Sequence, residues 1–177
     1  MFDHHSDVTT GYHLFLEPDG EVRKQLQGII TELSRVSSSP VFTPHITLLG
    51  KIPDEQESLL VKKTNTIASA MKKQRVTLKG ISMQDSYYRA LYMQISDKEG
   101  LETIHTYATT VFAMAYAQSY LPHLSLLYGN YSQEQKEVFL STVQVPSLLS
   151  FEATTIHLYK TSGKPHQWNK IYSCSLA

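Results

Sequence analysis

The sequence predicts an α+β protein, one domain over residues 1–177 made of two similar lobes with a groove between them. Three observations lead there. The stretch Pro44-His45-Ile46-Thr47-Leu48-Leu49-Gly50 is echoed by Pro122-His123-Leu124-Ser125-Leu126-Leu127-Tyr128-Gly129, with six consecutive positions matching in kind. Helical and strand patterns alternate around each copy, and 78 residues separate His45 from His123, so each half carries its own helices and strands. No linker or low-complexity run divides the chain, and 177 residues suit a single core.

In chain order, Gly11 to Glu17 reads as a first strand, ended by Pro18-Asp19-Gly20. Val22, Leu26, Ile29, Ile30, Leu33 and Val36 form one apolar stripe at helical spacing. Ser37-Ser38-Ser39-Pro40 stops that helix, and the first motif strand follows at residues 44–50 until Pro53 breaks it. Asp54-Glu55-Gln56-Glu57 has the form of a capping box before a second helix with Leu60, Ile67 and Met71 on its buried side. Extended segments begin at Val76 and again at Tyr87, the latter reaching Ile95. A third helix is predicted from Lys98 to about Ala117, with Leu101, Ile104, Ala108, Val111, Phe112 and Ala115 as its stripe. The second motif strand spans residues 122–129, and Ser132-Gln133-Glu134-Gln135 is a second capping box. Phe151 to Tyr159 and Trp168 to Leu176 read as a closing hairpin around Ser162-Gly163-Lys164-Pro165.

Side chains on a strand alternate between faces. His45 therefore shares a face with Thr47, and His123 with Ser125, while Ile46, Leu48, Leu124 and Leu126 turn to the core. Two ordinary core strands with satisfied histidines are the bland alternative, but the doubled, extended motif weighs against it. His4-His5-Ser6 has the same spacing without any apolar strand around it. Two imidazoles give an acid and a base near neutral pH. Two hydroxyls can donate to the non-bridging oxygens of a phosphate without adding charge. The set fits in-line opening of a phosphodiester or cyclic phosphate. Neither motif holds a Cys or carboxylate, so a zinc site is not expected, and no other cofactor is. A Ser-His-acid hydrolase is disfavoured, because each hydroxyl lies beside its imidazole on one strand and no G-x-S-x-G elbow occurs.

The bulk numbers narrow the partners. Lys and Arg total 16, Asp and Glu total 16, and the pI is about 7.1. That leaves no broad basic field for an extended nucleic-acid track. A single Cys174 permits no internal disulfide. No window approaches the roughly 18 apolar residues of a membrane span, and Met1 to Gly11 does not resemble a secretory signal. A cytoplasmic monomer acting on a small cyclic phosphate is the expectation. His13, His105, His157 and His166 are read as packing or loop residues, and Cys174 as a small buried hydrophobe.

Paired His-x-Thr/Ser strands in a chain of this length resemble the two-histidine (2H) phosphoesterase superfamily. Phe42-Thr43-Pro44-His45-Ile46-Thr47 and Pro122 to Tyr128 are most similar to its plant and fungal cyclic nucleotide phosphodiesterases, and the resemblance covers nearly the whole chain. It implies two pseudo-symmetric lobes with antiparallel sheets lining a central groove and helices outside. It implies metal-independent hydrolysis of ADP-ribose 1″,2″-cyclic phosphate to the 1″-phosphate, and of nucleoside 2′,3′-cyclic phosphates to 2′-phosphates. His45 and His123 match the catalytic pair, with His123 as base and His45 as acid. Thr47, Ser125 and Tyr128 match substrate-binding positions. Tyr128 lies five residues after His123, so strict alternation puts it on the wrong face unless the strand ends or bulges. Plant members also carry an early tryptophan near the site, where this chain has none. Tyr87 and Tyr88, or Tyr12, are the aromatic candidates for stacking, with Arg89 for a distal phosphate. A 2′–5′ RNA ligase-like or 2′–5′ oligonucleotide phosphodiesterase, and a nucleotide- or RNA-end-binding module without turnover, are the competing readings.

Overall fold

The structure is a computed structural model that describes residues 6–115 and 119–177. Within these residues eight strands form one antiparallel sheet: β1 (Tyr12–Leu16), β2 (Ile46–Ile52), β3 (Gln74–Met83), β4 (Leu91–Ile95), β5 (His123–Leu127), β6 (Leu148–Ala153), β7 (Thr155–Lys160) and β8 (Asn169–Ser175). Among the described residues four helices join them: α1 (Gly20–Ser37), α2 (Glu57–Ala70), α3 (Glu99–Val111) and α4 (Gln133–Ser141). The strand order β6-β3-β4-β5-β2-β1-β7-β8 divides at its centre into two halves of the same plan. In each half a strand, a helix, a motif strand and a helix follow one another, as β1-α1-β2-α2 and as β4-α3-β5-α4. The motif strands meet at a single residue pair, Ile46 with Leu124. The two lobes are thus the halves of one continuous sheet.

The apolar alternation builds the core. Leu14, Leu16, Ile46, Leu48, Leu124, Leu126, Ile156 and Leu158 are fully buried. Leu26, Ile29, Ile30 and Leu33 of α1 close over them, as the predicted stripe requires. Each such aliphatic side chain contributes about 1.5–3 kcal/mol relative to exposure. α1 stops where Ser38 turns left-handed (φ 58°), ahead of Pro40.

Four local expectations are corrected. Asp54 to Glu57 forms no capping box: Gln56 caps α2 without a side-chain bond. The carboxylates are drawn elsewhere, Glu57 accepting from Tyr12 Oη and Glu55 from Lys63 Nζ. The segment before β4 is not extended throughout, since Tyr87–Arg89 makes a 3-10 turn. α3 ends at Val111, Ala113 is left-handed (φ 52°) and Ala115 is exposed, while Ala117 lies outside the described residues. His4 and His5 lie outside them too.

The fourth correction bears on the shape. Phe151 to Tyr159 is not one strand. It breaks at Thr154, with β6 pairing β3 at one edge of the sheet and β7 pairing β1 and β8 in the other half. A flat sheet would hold β6 and β7 six strand spacings apart, roughly 30 Å. One residue spans the gap, so the sheet is strongly curled. The capping box at Ser132 is present, with Ser132 Oγ accepting from Gln135 N and Gln135 returning the bond. No helix among the described residues is long and apolar enough to cross a membrane.

Candidate active site

The motif strands place their polar faces on one cavity of about 580 Å³. His45 sits one residue before β2 and His123 is the first residue of β5. Their rings are held in the same way. His45 Nδ1 lies 2.6 Å from the carbonyl of Thr43, and His123 Nδ1 lies 2.8 Å from that of Leu121, each two residues back along the chain. A carbonyl only accepts, so Nδ1 carries the proton in both rings. Nε2 is left with the lone pair, the nitrogen that can accept a proton. Burial pushes both imidazoles down to about 4. For His45 the Thr43 carbonyl and the Glu17 carboxylate oppose that shift; for His123 the Arg89 guanidinium adds to it. Both rings are therefore neutral at pH 7, not half-protonated near neutrality as the unperturbed value would have it.

Thr47, Ser125, Tyr128 and Tyr88 join the histidines on the cavity wall. Thr47 is half-buried there. Ser125 is buried and donates its proton to the Tyr88 carbonyl at 2.7 Å, which pins the 3-10 turn to β5. The parity problem at Tyr128 is solved by a bulge. Leu91 faces Leu127 and Tyr92 faces Ser125, so β5 holds one extra residue there and its alternation shifts by one. Tyr128, just past the strand, then returns to the side of His123 and Ser125. Its hydroxyl lies 3.5 Å from His45 Nε2 and its ring stacks on Phe42 at 3.7 Å.

The aromatic candidates separate. Tyr88 lines the cavity, whereas Tyr87 packs into the core against Tyr88 and Tyr128 and is absent from the wall. Consecutive side chains of a 3-10 turn point about 120° apart, so one tyrosine of the pair faces in and the other away. Tyr12 is buried in the core with its hydroxyl on Glu57. Trp168 takes the place that sequence reasoning left vacant. The short turn Pro165–Gln167 and a bond from Nε1 to the Gly163 carbonyl set it on the wall, 6.1 Å from Tyr88 and 6.2 Å from His45.

Sequence reasoning also passed over Phe15, which shares its face with Thr47 across the β1–β2 pair. His13 and His105 reach the wall as satisfied, structural rings. His13 Nδ1 meets Thr161 Oγ1 at 2.6 Å and its Nε2 accepts from Lys51 N, while burial lowers it to about 3. His105 donates to the Leu48 carbonyl and stacks on Tyr120, whose hydroxyl donates to the Thr47 carbonyl. Among the described residues that line the cavity are Lys51 and Arg89 but no carboxylate, so it suits an anion. No group of three His, Cys, Asp or Glu among the described residues could hold a metal ion.

A family model described as "Cyclic phosphodiesterase-like protein" matches residues 10–175. The chain is 21% identical to the cyclic phosphodiesterase of Arabidopsis thaliana over 93% of this chain and 94% of that one. Its fold is similar to that of E. coli LigT complexed with ATP, with a TM-score of 0.67 and 18% identity over 94% of this chain and 97% of that one. LigT complexed with 3′-AMP gives a TM-score of 0.64 and 14% identity over 95% and 98%.

Proposed function

The chain belongs to the cyclic phosphodiesterase-like family, and from that premise we propose that it hydrolyses ADP-ribose 1″,2″-cyclic phosphate to the 1″-phosphate and nucleoside 2′,3′-cyclic phosphates to 2′-phosphates. The observation that carries the reading is the matched pair of imidazoles, each locked through Nδ1 to a carbonyl so that Nε2 serves one shared cavity. In a 2′,3′-cyclic phosphate, water attacks phosphorus while His123 Nε2 takes its proton. The P–O3′ bond breaks, and the leaving oxygen takes the Nε2 proton that His45 acquires from solvent as the anionic substrate enters. A free 3′-hydroxyl and a 2′-phosphate result. Thr47, on the cavity wall, donates to the phosphoryl group in this reading, and Ser125 does so once its proton leaves the Tyr88 carbonyl. Tyr128 orients His45 and the substrate. Tyr88 and Trp168 offer rings for the base or ribose, and Arg89 a charge for a distal phosphate. Nucleotide complexes of LigT support a nucleotide-sized ligand for this fold.

The test is a product screen of the purified protein against ADP-ribose 1″,2″-cyclic phosphate and the four 2′,3′-cyclic nucleotides, with and without excess EDTA. Turnover that survives the chelator is expected, since acid and base come from side chains alone. Turnover that stops with EDTA and returns with zinc or manganese would contradict the mechanism. Cleavage of 2′–5′ linked oligonucleotides in preference to every cyclic phosphate would move the reading to that class.

A further inference from the structure

His45 and His123 share a motif and a backbone bond, yet their surroundings differ. The Phe15 ring lies over the His45 imidazole, with centroids 3.8 Å apart and planes 24° from parallel. Phe15 is 2% exposed, is braced by Tyr159 at 4.9 Å and lines the cavity. Around His123 the ring contact among the described residues is with Tyr92, at 5.3 Å and 73° between planes.

A cation on an aromatic face is attracted to it. The stacked Phe15 ring therefore favours the imidazolium at position 45, and among the described residues no ring is stacked on His123. We propose that Phe15 is a positioning residue that favours the imidazolium of His45 and so makes His45, not His123, the proton donor of the pair. The acid and base roles rest on the function proposed above; the effect of Phe15 on the proton affinity of His45 does not.

The other groups that act on His45 are accounted for. From β1 and its end come neutral His13 and the Glu17 carboxylate, which favours the cation but is already paired with Arg23 and Lys170. From β5 and beyond come His123 and the Tyr128 hydroxyl. Phe42 and Trp168 meet the ring at steep angles, 74° and 69°. The bond from Nδ1 to a carbonyl is common to both histidines and cannot distinguish them.

The test needs no substrate. The imidazole signals of the free protein are titrated by NMR, assigned by their loss in H45A and H123A, in wild type, F15L and F15W. F15L is expected to lower the His45 titration by roughly half to one pH unit, and F15W to leave it at or above the wild-type value. His123 should not move in either variant, which also reports an intact fold. A His45 titration unchanged in F15L, or displaced equally with that of His123, would overturn the proposal. Should F15L fail to fold, F15W decides, since Phe15 borders open cavity: a His45 titration below wild type would overturn it. Absence of turnover on every cyclic phosphate would instead refute the proposed function and leave the titration result standing.

Discussion

Ser125 and Thr47 occupy equivalent motif positions but hold different hydrogen bonds, and that difference can be measured. Replacing Ser125 by Ala strands the Tyr88 carbonyl, so S125A should lose about 1–3 kcal/mol of stability. T47A should unfold close to wild type. Both should lower turnover, by roughly 10²–10³-fold for a hydroxyl that holds transition-state charge. Equal stabilities in denaturant titrations would contradict the bond to Tyr88, and a change confined to KM would contradict a transition-state role. The histidines carry a second expectation. Burial holds both near 4 in the free protein, so above that pH the acid must take up a proton as the anionic substrate enters. A phosphate beside His45 raises its value, and the alkaline limb of kcat should lie at higher pH than that of kcat/KM. Coincident limbs would show that substrate does not shift the pair. The four motif residues were legible because a period of two assigns faces without knowing the fold. Burial of the rings was not, because it depends on what covers them.

Between residues and fold stand the short irregular elements, and these decided which aromatics reach the site. The bulge in β5 returns Tyr128 to the face of His123 and Ser125, the 3-10 turn at Tyr87–Arg89 splits two adjacent tyrosines, and the turn at Pro165–Gln167 delivers Trp168 to the cavity. Each is a local departure from periodicity, which is why counting along the sequence misplaced Tyr87 and overlooked Trp168. Gly129, directly after Tyr128, has φ 145°, and a Cβ there would stand 2.2 Å from the Tyr131 ring. G129A should therefore cost about 1–3 kcal/mol of stability, and turnover should fall with the displacement of Tyr128. Calorimetry together with steady-state rates checks both; a variant with wild-type melting and rates would mean that this backbone conformation is not what holds Tyr128 in place. The capping boxes teach the same lesson. Ser132 keeps its own box, whereas the acidic run before α2 spends its carboxylates on Tyr12 and Lys63.

At the scale of the molecule, two halves of one plan touch at a single strand pair and leave a cavity where the motif strands part. Tyr120 and His105 take up the Thr47 and Leu48 carbonyls beside that seam. The chain as a whole is electrically balanced, yet the described wall holds Lys51 and Arg89 and no carboxylate. The doubled motif disclosed the two halves; that Thr154 alone links β6 to β7, curling the sheet, depends on pairings between distant strands that no local pattern encodes. The most direct measurement of two-histidine catalysis follows 2′,3′-cyclic AMP by phosphorus NMR with wild type, H45A and H123A. One fixed acid should release one ribose oxygen, giving 2′-AMP alone, and each single variant should lose roughly 10²–10⁴-fold in rate, with the double variant little slower than either. A mixture of 2′- and 3′-AMP from the wild type, or near-wild-type rates in either variant, would contradict it.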